Sequence, residues 1–340
     1  SIQYVTSYSN RDLPFFYKIA AVWGGQEGSL LLWGWILSLY AALVLIQNRR
    51  RHTAMMPYVA AVLMGTSVFF TSLNLFVTNP FNELVLVEGD GTMLAFTPAD
   101  GRGLNPLLQY VLMVIHPPML YLGFVGFSIP FAFAMAAMAS RQMGDTWIRT
   151  TRRWTMVAWF FLGTGILLGG KWAYVELGWG GYWAWDPVEN ASLMPWLLGT
   201  AFLHSVMIQE KKGMMKIWNM VLVILTYTMA IFGTFLTRSG IVSSVHAFAQ
   251  SSIGGYFLAF IVIALASALY LMFDRLDYLK SENSLDSMAS REAGFMFNNL
   301  LFVAACFAVL WGTMLPVFSE WIQGSKITVN QPWFNRVGIP

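Results

Sequence analysis

Charged residues are scarce in this sequence. Lysine, arginine, aspartate and glutamate together make up 11% of the 340 residues, whereas 57% of the residues are hydrophobic. Because a soluble domain usually carries about 25% charged residues, this chain has too few polar side chains to cover a surface that faces water. The composition therefore excludes an ordinary soluble domain and predicts that lipid surrounds most of the chain.

Cysteine and histidine are also rare. The single cysteine, Cys306, excludes a disulfide framework or a thiolate metal cluster within the chain. No nucleophilic dyad or phosphate-binding loop appears, so we assign no catalytic side chain. The sequence has neither an initiator methionine nor a signal peptide, and we interpret it as a processed chain or as a portion of a longer one.

Eight apolar segments are long enough to cross a bilayer, whose core of about 30 Å needs roughly 20 residues of helix. They cover residues 29–46, 57–77, 118–139, 154–170, 191–208, 217–236, 254–273 and 295–318. The segment 104–117 is apolar but interrupted by prolines, which remove amide donors. We predict that it approaches the third span as an interfacial or re-entrant segment. The predicted fold class is an all-α polytopic membrane protein of about eight transmembrane helices.

Basic residues are concentrated in every second loop. Thirteen of the twenty lysines and arginines lie in the segments 47–53, 140–153, 209–216 and 274–291. The positive-inside rule places these loops in the cytoplasm, so eight spans put both ends of the chain outside. The predicted units are an external N-terminal loop (1–28), membrane helices (29–170), an external tryptophan-rich segment (171–196), further membrane helices (197–318) and an external C-terminal segment (319–340).

The tryptophan-rich segment has an unusual composition. Its five tryptophans are Trp172, Trp179, Trp183, Trp185 and Trp196. Scattered tryptophans in membrane proteins form an interfacial belt, but here five indoles are crowded among glycines, which let the backbone approach a flat partner. Indoles offer wide apolar faces with one N–H donor each, which favours a large planar ligand such as a porphyrin. Asp186, Pro187 and Glu189 predict a capped helix N-terminus.

The tryptophan-rich segment resembles a known family. Its string WGGYWAWDPVENASLMPWL is similar to the tryptophan-rich WWD signature of the haem-handling proteins of cytochrome c maturation. The flanking stretches resemble the CcmF branch of that family, including its nitrite-reductase-associated relatives. These stretches are SIQYVTSYSNRDLPFFYKIAAVWGGQEGSLLLW, GRGLNPLLQYVLMVIHPPMLYLGF and TFLTRSGIVSSVHAFAQS. The resemblance covers the whole chain and implies a central part of a CcmF-type protein, with further spans before and after it.

Two histidines and the tryptophan segment fall on one side of the predicted topology. His116 lies at the outer end of the third span, and His246 follows the sixth span. An even number of spans separates them, so a haem held by two imidazoles is geometrically possible. Each could equally cap a helix or bond an interfacial carbonyl. The resemblance implies that both ligate the iron of the transferred haem, beside Trp179, Trp183 and Trp185.

The other histidines and two cations complete the candidate set. His204 lies inside the fifth span, where an ionisable residue is costly and marks a functional site by default. A neutral histidine bonded to a neighbouring helix is the alternative. The resemblance implies that His204 ligates a second, permanently held b-type haem, whose partner histidine is outside this chain. Arg238 and Lys171 suit haem propionates or interfacial anchoring, and His52 receives no role.

The resemblance implies cytochrome c maturation by a haem lyase. Haem would arrive from the haem chaperone CcmE and be held at the periplasmic face of a bacterial inner membrane. Two thiols of an apocytochrome c CxxCH segment would then add across its vinyl groups, assisted by CcmH/CcmI-type thiol-handling subunits. The protein would hold the haem and the thiols in position for the reaction. The b-type haem would pass electrons outward from quinol.

A transporter is the alternative from another class of protein. Eight or more spans, broken helices and a histidine near the membrane midplane fit a haem exporter or another carrier. Against this alternative, the aromatic and histidine features cluster at one surface. A quinol-linked cytochrome subunit would need at least two paired histidines within the membrane, and His204 is alone there.

Overall fold

The computed structural model describes residues 1–242, 244, 253–281, 283 and 287–338. The helices of this part are α1 (Gln3–Tyr8), α2 (Phe15–Ala20), α3 (Gln26–Asn48), α4 (Met56–Phe76), α5 (Val111–Gly126), α6 (Ser128–Ala139), α7 (Thr146–Glu176), α8 (Pro187–Lys212), α9 (Lys216–Ser239), α10 (Gly254–Asp274), α11 (Arg291–Gln323) and α12 (Gln331–Gly338). Short 3-10 turns cover Ala21–Trp23, Pro106–Leu108 and Leu276–Leu279.

The prediction of eight transmembrane helices is confirmed. Seven spans are α3, α4, α7, α8, α9, α10 and α11, and the eighth is formed by α5 and α6 together over Val111–Ala139. Helix α5 packs on α7, and α8 packs on both α9 and α11. The core is aromatic: Trp33 stacks on Phe70 with ring centroids 3.7 Å apart. Phe131 stacks on Tyr227 at 4.0 Å. The protein is an all-α polytopic membrane protein.

The predicted interfacial approach over 104–117 is wrong in its second half. Helix α5 starts at Val111 and contains Pro117 and Pro118. A proline at position 117 cannot donate to the carbonyl of Met113, four residues earlier. The indole N–H of Trp23 donates to this carbonyl instead, at 3.1 Å. Another part of the chain thus supplies the donor that Pro117 lacks.

The basic loops meet at one end of the bundle, which we call the basic end. The contacts between them are Thr150 Oγ1 to His52 Nε2 (3.2 Å), Arg152 Nη1 to Glu210 Oε2 (3.4 Å) and Lys212 Nζ to Glu292 Oε1 (3.6 Å). The loops rich in arginine and lysine, which are every second loop along the chain, thus lie together at one end, as the charge pattern predicted.

The opposite end, which we call the aromatic end, carries the N-terminal helices, the tryptophan segment and α12. A hairpin that the sequence analysis did not predict also lies here, with β1 (Val85–Val87) antiparallel to β2 (Met93–Ala95). Its turn uses Gly91 at φ +87°, a conformation that glycine adopts without steric cost. Ile2 forms an isolated bridge with Glu83, so the start of the chain packs along this hairpin.

Candidate functional site

A cavity of about 110 Å³ opens among α5, α8 and α9 at the aromatic end. Its polar lining includes His116 and Arg238, and its aromatic lining includes Trp23 and Trp172. The cavity is smaller than the roughly 300 Å³ of ordinary cofactor pockets. A haem bound through His116 would therefore place only part of its macrocycle inside and would extend outward from the bundle.

His116 is fixed by a hydrogen bond to main chain. Its Nδ1 lies 2.7 Å from the carbonyl oxygen of Gly165 on α7. A carbonyl oxygen can only accept, so Nδ1 carries the proton and the lone pair resides on Nε2. A neutral imidazole that donates from one nitrogen to a carbonyl and ligates through the other is the usual arrangement at metal sites. The tautomer of His116 is therefore the one that a haem-iron ligand requires.

Glycines of α7 allow the imidazole to approach so closely. A Cβ atom added at Gly169 would lie 2.4 Å from Cε1 of His116. One residue later, a Cβ atom at Gly170 would lie 2.9 Å from the carbonyl oxygen of Tyr182. Two neighbouring glycines thus bring His116 and the tryptophan segment against the same turn of α7. The shared side that was predicted for His116 and this segment is present in the fold.

Arg238 supplies the positive charge of the cavity. It lies near the C-terminus of α9, where a cation opposes the negative end of the helix dipole. Only 9% of its surface is exposed, and Nη2 donates to the hydroxyl of Tyr121 at 2.8 Å. A guanidinium carries five donors in a planar fork, and this hydrogen bond orients that fork at the cavity wall. Lys171, the other cation considered, is exposed and does not line the cavity.

Trp23 enters the cavity because the N-terminal region is attached to the turn that carries it. The Tyr4 hydroxyl donates to the carbonyl of Val22 at 3.0 Å and accepts from the amide of Gly25 at 3.0 Å. Burial raises the pKa of Tyr4 above its usual range, so this hydroxyl remains a donor. Trp23, Tyr4 and Tyr121 were not among the predicted site residues. The sequence did contain one signal for Trp23, because Pro117 within a helix leaves the carbonyl of Met113 in need of another donor.

The tryptophan segment packs mostly against other aromatic residues. Tyr174 stacks on Tyr182 with centroids 4.4 Å apart. Trp185 stacks on Phe334 of α12 at 5.1 Å, and its indole N–H donates to Asn335 Oδ1 at 2.7 Å. The indoles of Trp179, Trp183 and Trp185 are half-buried. They lie in the segment beside the cavity, whereas the tryptophans that line the cavity itself are Trp23 and Trp172.

The predicted helix cap after this segment is present. Asp186 accepts from the amide of Val188 at 3.0 Å, and Glu189 accepts from the amides of Ala184 and Asp186, both at 3.0 Å. This capping box starts α8 and holds Trp185 at φ +59°, a backbone region that is unfavourable for a bulky side chain. The hydroxyl of Ser244 also donates to Asp186, at 2.6 Å. His246 lies outside the described residues.

His204 lies on α8 and faces α11. Its Nδ1 is 3.1 Å from Nδ2 of Asn298, and its ring lies about 6 Å from those of Phe295 and Phe302. With the amide in this orientation, Nδ1 accepts the hydrogen bond and Nε2 carries the proton. An iron ligand at Nε2 requires the opposite amide orientation, in which Oδ1 of Asn298 accepts from Nδ1–H. The two amide orientations have the same shape, so this site accommodates either tautomer.

The described part of the chain brings together no group of three or more histidine, cysteine, aspartate or glutamate side chains that could hold a metal ion. Cys306 is a buried free thiol. The chemistry that this end of the molecule offers is imidazole ligation, guanidinium binding of a carboxylate, and aromatic contact.

Comparison with known proteins gives a consistent result. Residues 23–242 match the family described as "Cytochrome C assembly protein". The chain is 46% identical to the cytochrome c-type biogenesis protein CcmF of Pseudomonas aeruginosa, with 100% of this chain aligned to 50% of that protein. It is 39% identical to the cytochrome c-type biogenesis protein NrfE of Haemophilus influenzae, with 100% of this chain aligned to 52% of that protein. The chain thus spans about half the length of the curated relatives it matches.

A solved structure is also similar. The protein named "Cytochrome c Heme Lyase CcmF" superposes with a TM-score of 0.74 at 35% sequence identity, over 96% of this chain and 46% of that protein.

Proposed function

Because the chain belongs to the cytochrome c assembly protein family, we propose that it acts in cytochrome c maturation as part of a haem lyase. The observation that carries the proposal is the His116 imidazole, which lines a cavity together with Arg238 and whose Nδ1 hydrogen bond to the Gly165 carbonyl places the lone pair on Nε2. The names of its relatives, which refer to cytochrome c biogenesis and to a haem lyase, support the same function.

The haem is the substrate in this proposal. Nε2 of His116 ligates its iron from one side and His246 from the other, and a propionate pairs with Arg238. Trp179, Trp183 and Trp185 contact the part of the macrocycle that extends outward. Each thiol of a CxxCH segment adds across one vinyl group, so that sulfur bonds to one vinyl carbon and hydrogen to the other. The addition needs no net oxidant, and the protein contributes by holding the reacting groups in position.

A resident b-type haem belongs to the proposal as well. His204 would hold it once Asn298 presents its oxygen to Nδ1, and such a haem would supply electrons that keep the transferred iron ferrous. A quinol is the proposed source of those electrons. The proposed partners are CcmE, apocytochrome c and CcmH/CcmI-type subunits, and the proposed location is a bacterial inner membrane with the aromatic end in the periplasm.

Chemical rescue tests the function. In the full-length protein, we expect His116→Gly and His246→Gly each to abolish covalent attachment of haem to cytochrome c. Added imidazole should restore part of the activity, because a small ligand can occupy the space of the lost side chain. His52→Gly, at the basic end, is the matched control and should mature cytochrome c normally. If the His116 and His246 variants both mature cytochrome c without imidazole, these residues do not hold the transferred haem.

A further inference from the structure

A wide groove lies at the basic end, far from the cavity described above. It encloses about 1040 Å³ between the last turn of α3 with its following loop and the first three turns of α7. We call it the arginine groove. Its charged and titratable lining consists of Arg49, Arg50, Arg51, His52, Arg149 and Arg153. The haem-lyase proposal gives no role to any of these residues.

Five arginines converge on this groove, and no acidic side chain is among its described lining. Among the ion pairs of the described residues, one involves these five arginines, namely Arg149 with Asp145 at 3.9 Å. Within the part of the chain that the structure describes, the positive charge of the groove is therefore largely uncompensated by ion pairs. Uncompensated cations that face one concave surface attract an anion more strongly than the same cations spread over a flat loop.

The loop that carries three of these arginines has a defined structure. His52 adopts φ +52°, and its Nε2 lies 3.2 Å from Thr150 Oγ1 on α7. Its carbonyl accepts from the amides of Met55 and Met56 at 2.8 and 3.1 Å. The amide side chain of Asn48 donates to the Val44 carbonyl at 2.9 Å. The bond to Thr150 joins the loop to α7, and the other bonds fix the conformation of the loop itself.

The remaining lining gives the groove an amphipathic character. Ile46, Trp154 and Val157 line it on the side that continues into the membrane-spanning parts of α3 and α7. Trp154 also packs edge-on against Tyr40, with centroids 5.4 Å apart. A ligand with an anionic head and an apolar body would contact the arginines and this apolar side together.

The type of cation also distinguishes the groove. Apart from His52, the basic side chains of the groove are five arginines. In the neighbouring loop 209–216, the basic residues are all lysines. The positive-inside rule requires only positive charge in cytoplasmic loops, and lysine satisfies it as well as arginine. Arginine differs in its planar guanidinium, which binds phosphate with two parallel hydrogen bonds.

We propose that the arginine groove binds the phosphate headgroup of an anionic phospholipid, with its acyl chains against Ile46, Trp154 and Val157. Basic pockets between transmembrane helices at the cytoplasmic surface are suited to such headgroups. Five guanidiniums favour a lipid with two phosphates over a lipid with one. The bound lipid connects α3 and α7, which are also joined through His52 and Thr150.

The test is lipid binding by the full-length protein, measured by native mass spectrometry with added tetraoleoyl cardiolipin. The variant is Arg50→Gln with Arg153→Gln. Its matched control is Arg141→Gln with Lys211→Gln, which removes two positive charges from the same end outside the groove. All four side chains are exposed, so folding should be preserved. Each guanidinium removed from the groove would take away direct hydrogen bonds to a phosphate, so the groove variant should bind cardiolipin about 30-fold more weakly. The control removes only charge that acts at a distance and is screened by salt.

Three outcomes decide the proposal. It is supported if the groove variant loses affinity by this amount while the control, whose charges are screened from the bound headgroup, loses less than about threefold. Equal losses in the two variants, or no loss in either, would show that the lipid responds to diffuse charge and would overturn it. Inorganic phosphate tests the source of the anion: if it displaces cardiolipin from the unmodified protein at equal concentration, the groove is a site for free phosphate and the lipid assignment fails.

Discussion

The approach of Gly169 to His116 gives the sharpest mutational prediction. In Gly169→Ala, the new Cβ would lie 2.4 Å from Cε1 of the imidazole, whereas ordinary contact begins at 3.4 Å. The ring must therefore move by about 1 Å relative to α7, as the difference between these distances indicates. Such a movement stretches the 2.7 Å hydrogen bond to Gly165 beyond its useful range.

The expected consequence is a loss of cytochrome c maturation with the ligand still present. Misplacement of a reacting group by about 1 Å can cost about 10²-fold in rate, so we expect covalent haem attachment to fall by about 10- to 100-fold. The assay compares holocytochrome c formed in cells that express the variant or the unmodified full-length protein at equal abundance.

Gly65→Ala is the matched control, because a Cβ atom there would contact nothing within 4 Å. Both changes replace a helical glycine by alanine and share the gain in helix stability of about 0.5–1 kcal/mol. A second comparison uses the His116→Ala background, in which the obstructing ring is gone. There, Gly169→Ala should raise the melting temperature in detergent as Gly65→Ala does. Maturation by Gly169→Ala at the level of Gly65→Ala would refute the steric argument.

Three further predictions concern other parts of the molecule. In Trp183→Leu with Trp185→Leu, haem retention at the aromatic end should fall while protein abundance stays normal; Asn335→Ala, which removes only the acceptor of the Trp185 N–H, should have a much smaller effect, and normal maturation by the double variant would contradict a haem contact. His204→Ala should remove the reduced b-haem spectrum of the full-length protein, whereas an unchanged spectrum would exclude His204 as its ligand. A cysteine at position 145 should resist an impermeant thiol reagent applied from the periplasm, and strong labelling would reverse the proposed orientation.

Much of the fold follows from one-dimensional properties of the sequence. Length and hydropathy define the eight spans. The concentration of arginine and lysine in every second loop predicts which loops share an end of the bundle. The Asp186 cap was predictable because a capping box uses residues three positions apart in the chain. The hairpin of β1 and β2 was missed because its strands have three residues each and give no long alternating pattern.

The site was less predictable because its contacts join distant parts of the chain. His116 could be selected as a candidate, but its bond to Gly165 depends on how α5 packs on α7. The donor that replaces the missing amide of Pro117 belongs to Trp23, which is 90 residues away from its acceptor in sequence. The packing of Trp185 on α12 requires a helix 150 residues further along the chain. Local patterns contain no information about such pairings.

The different partners of His116 and His204 have an evolutionary consequence. The acceptor for His116 is a peptide carbonyl, and every amino acid supplies that group, so no point mutation at position 165 can delete it directly. The partner of His204 is the side chain of Asn298, and a single substitution at that position can replace it by an acid, an apolar group or a donor. The hydrogen bond of His116 can therefore be lost when the ring is displaced, as in Gly169→Ala, but not by replacing the group that accepts it. The hydrogen bonding of the His204 imidazole, by contrast, can be changed by a single substitution at position 298.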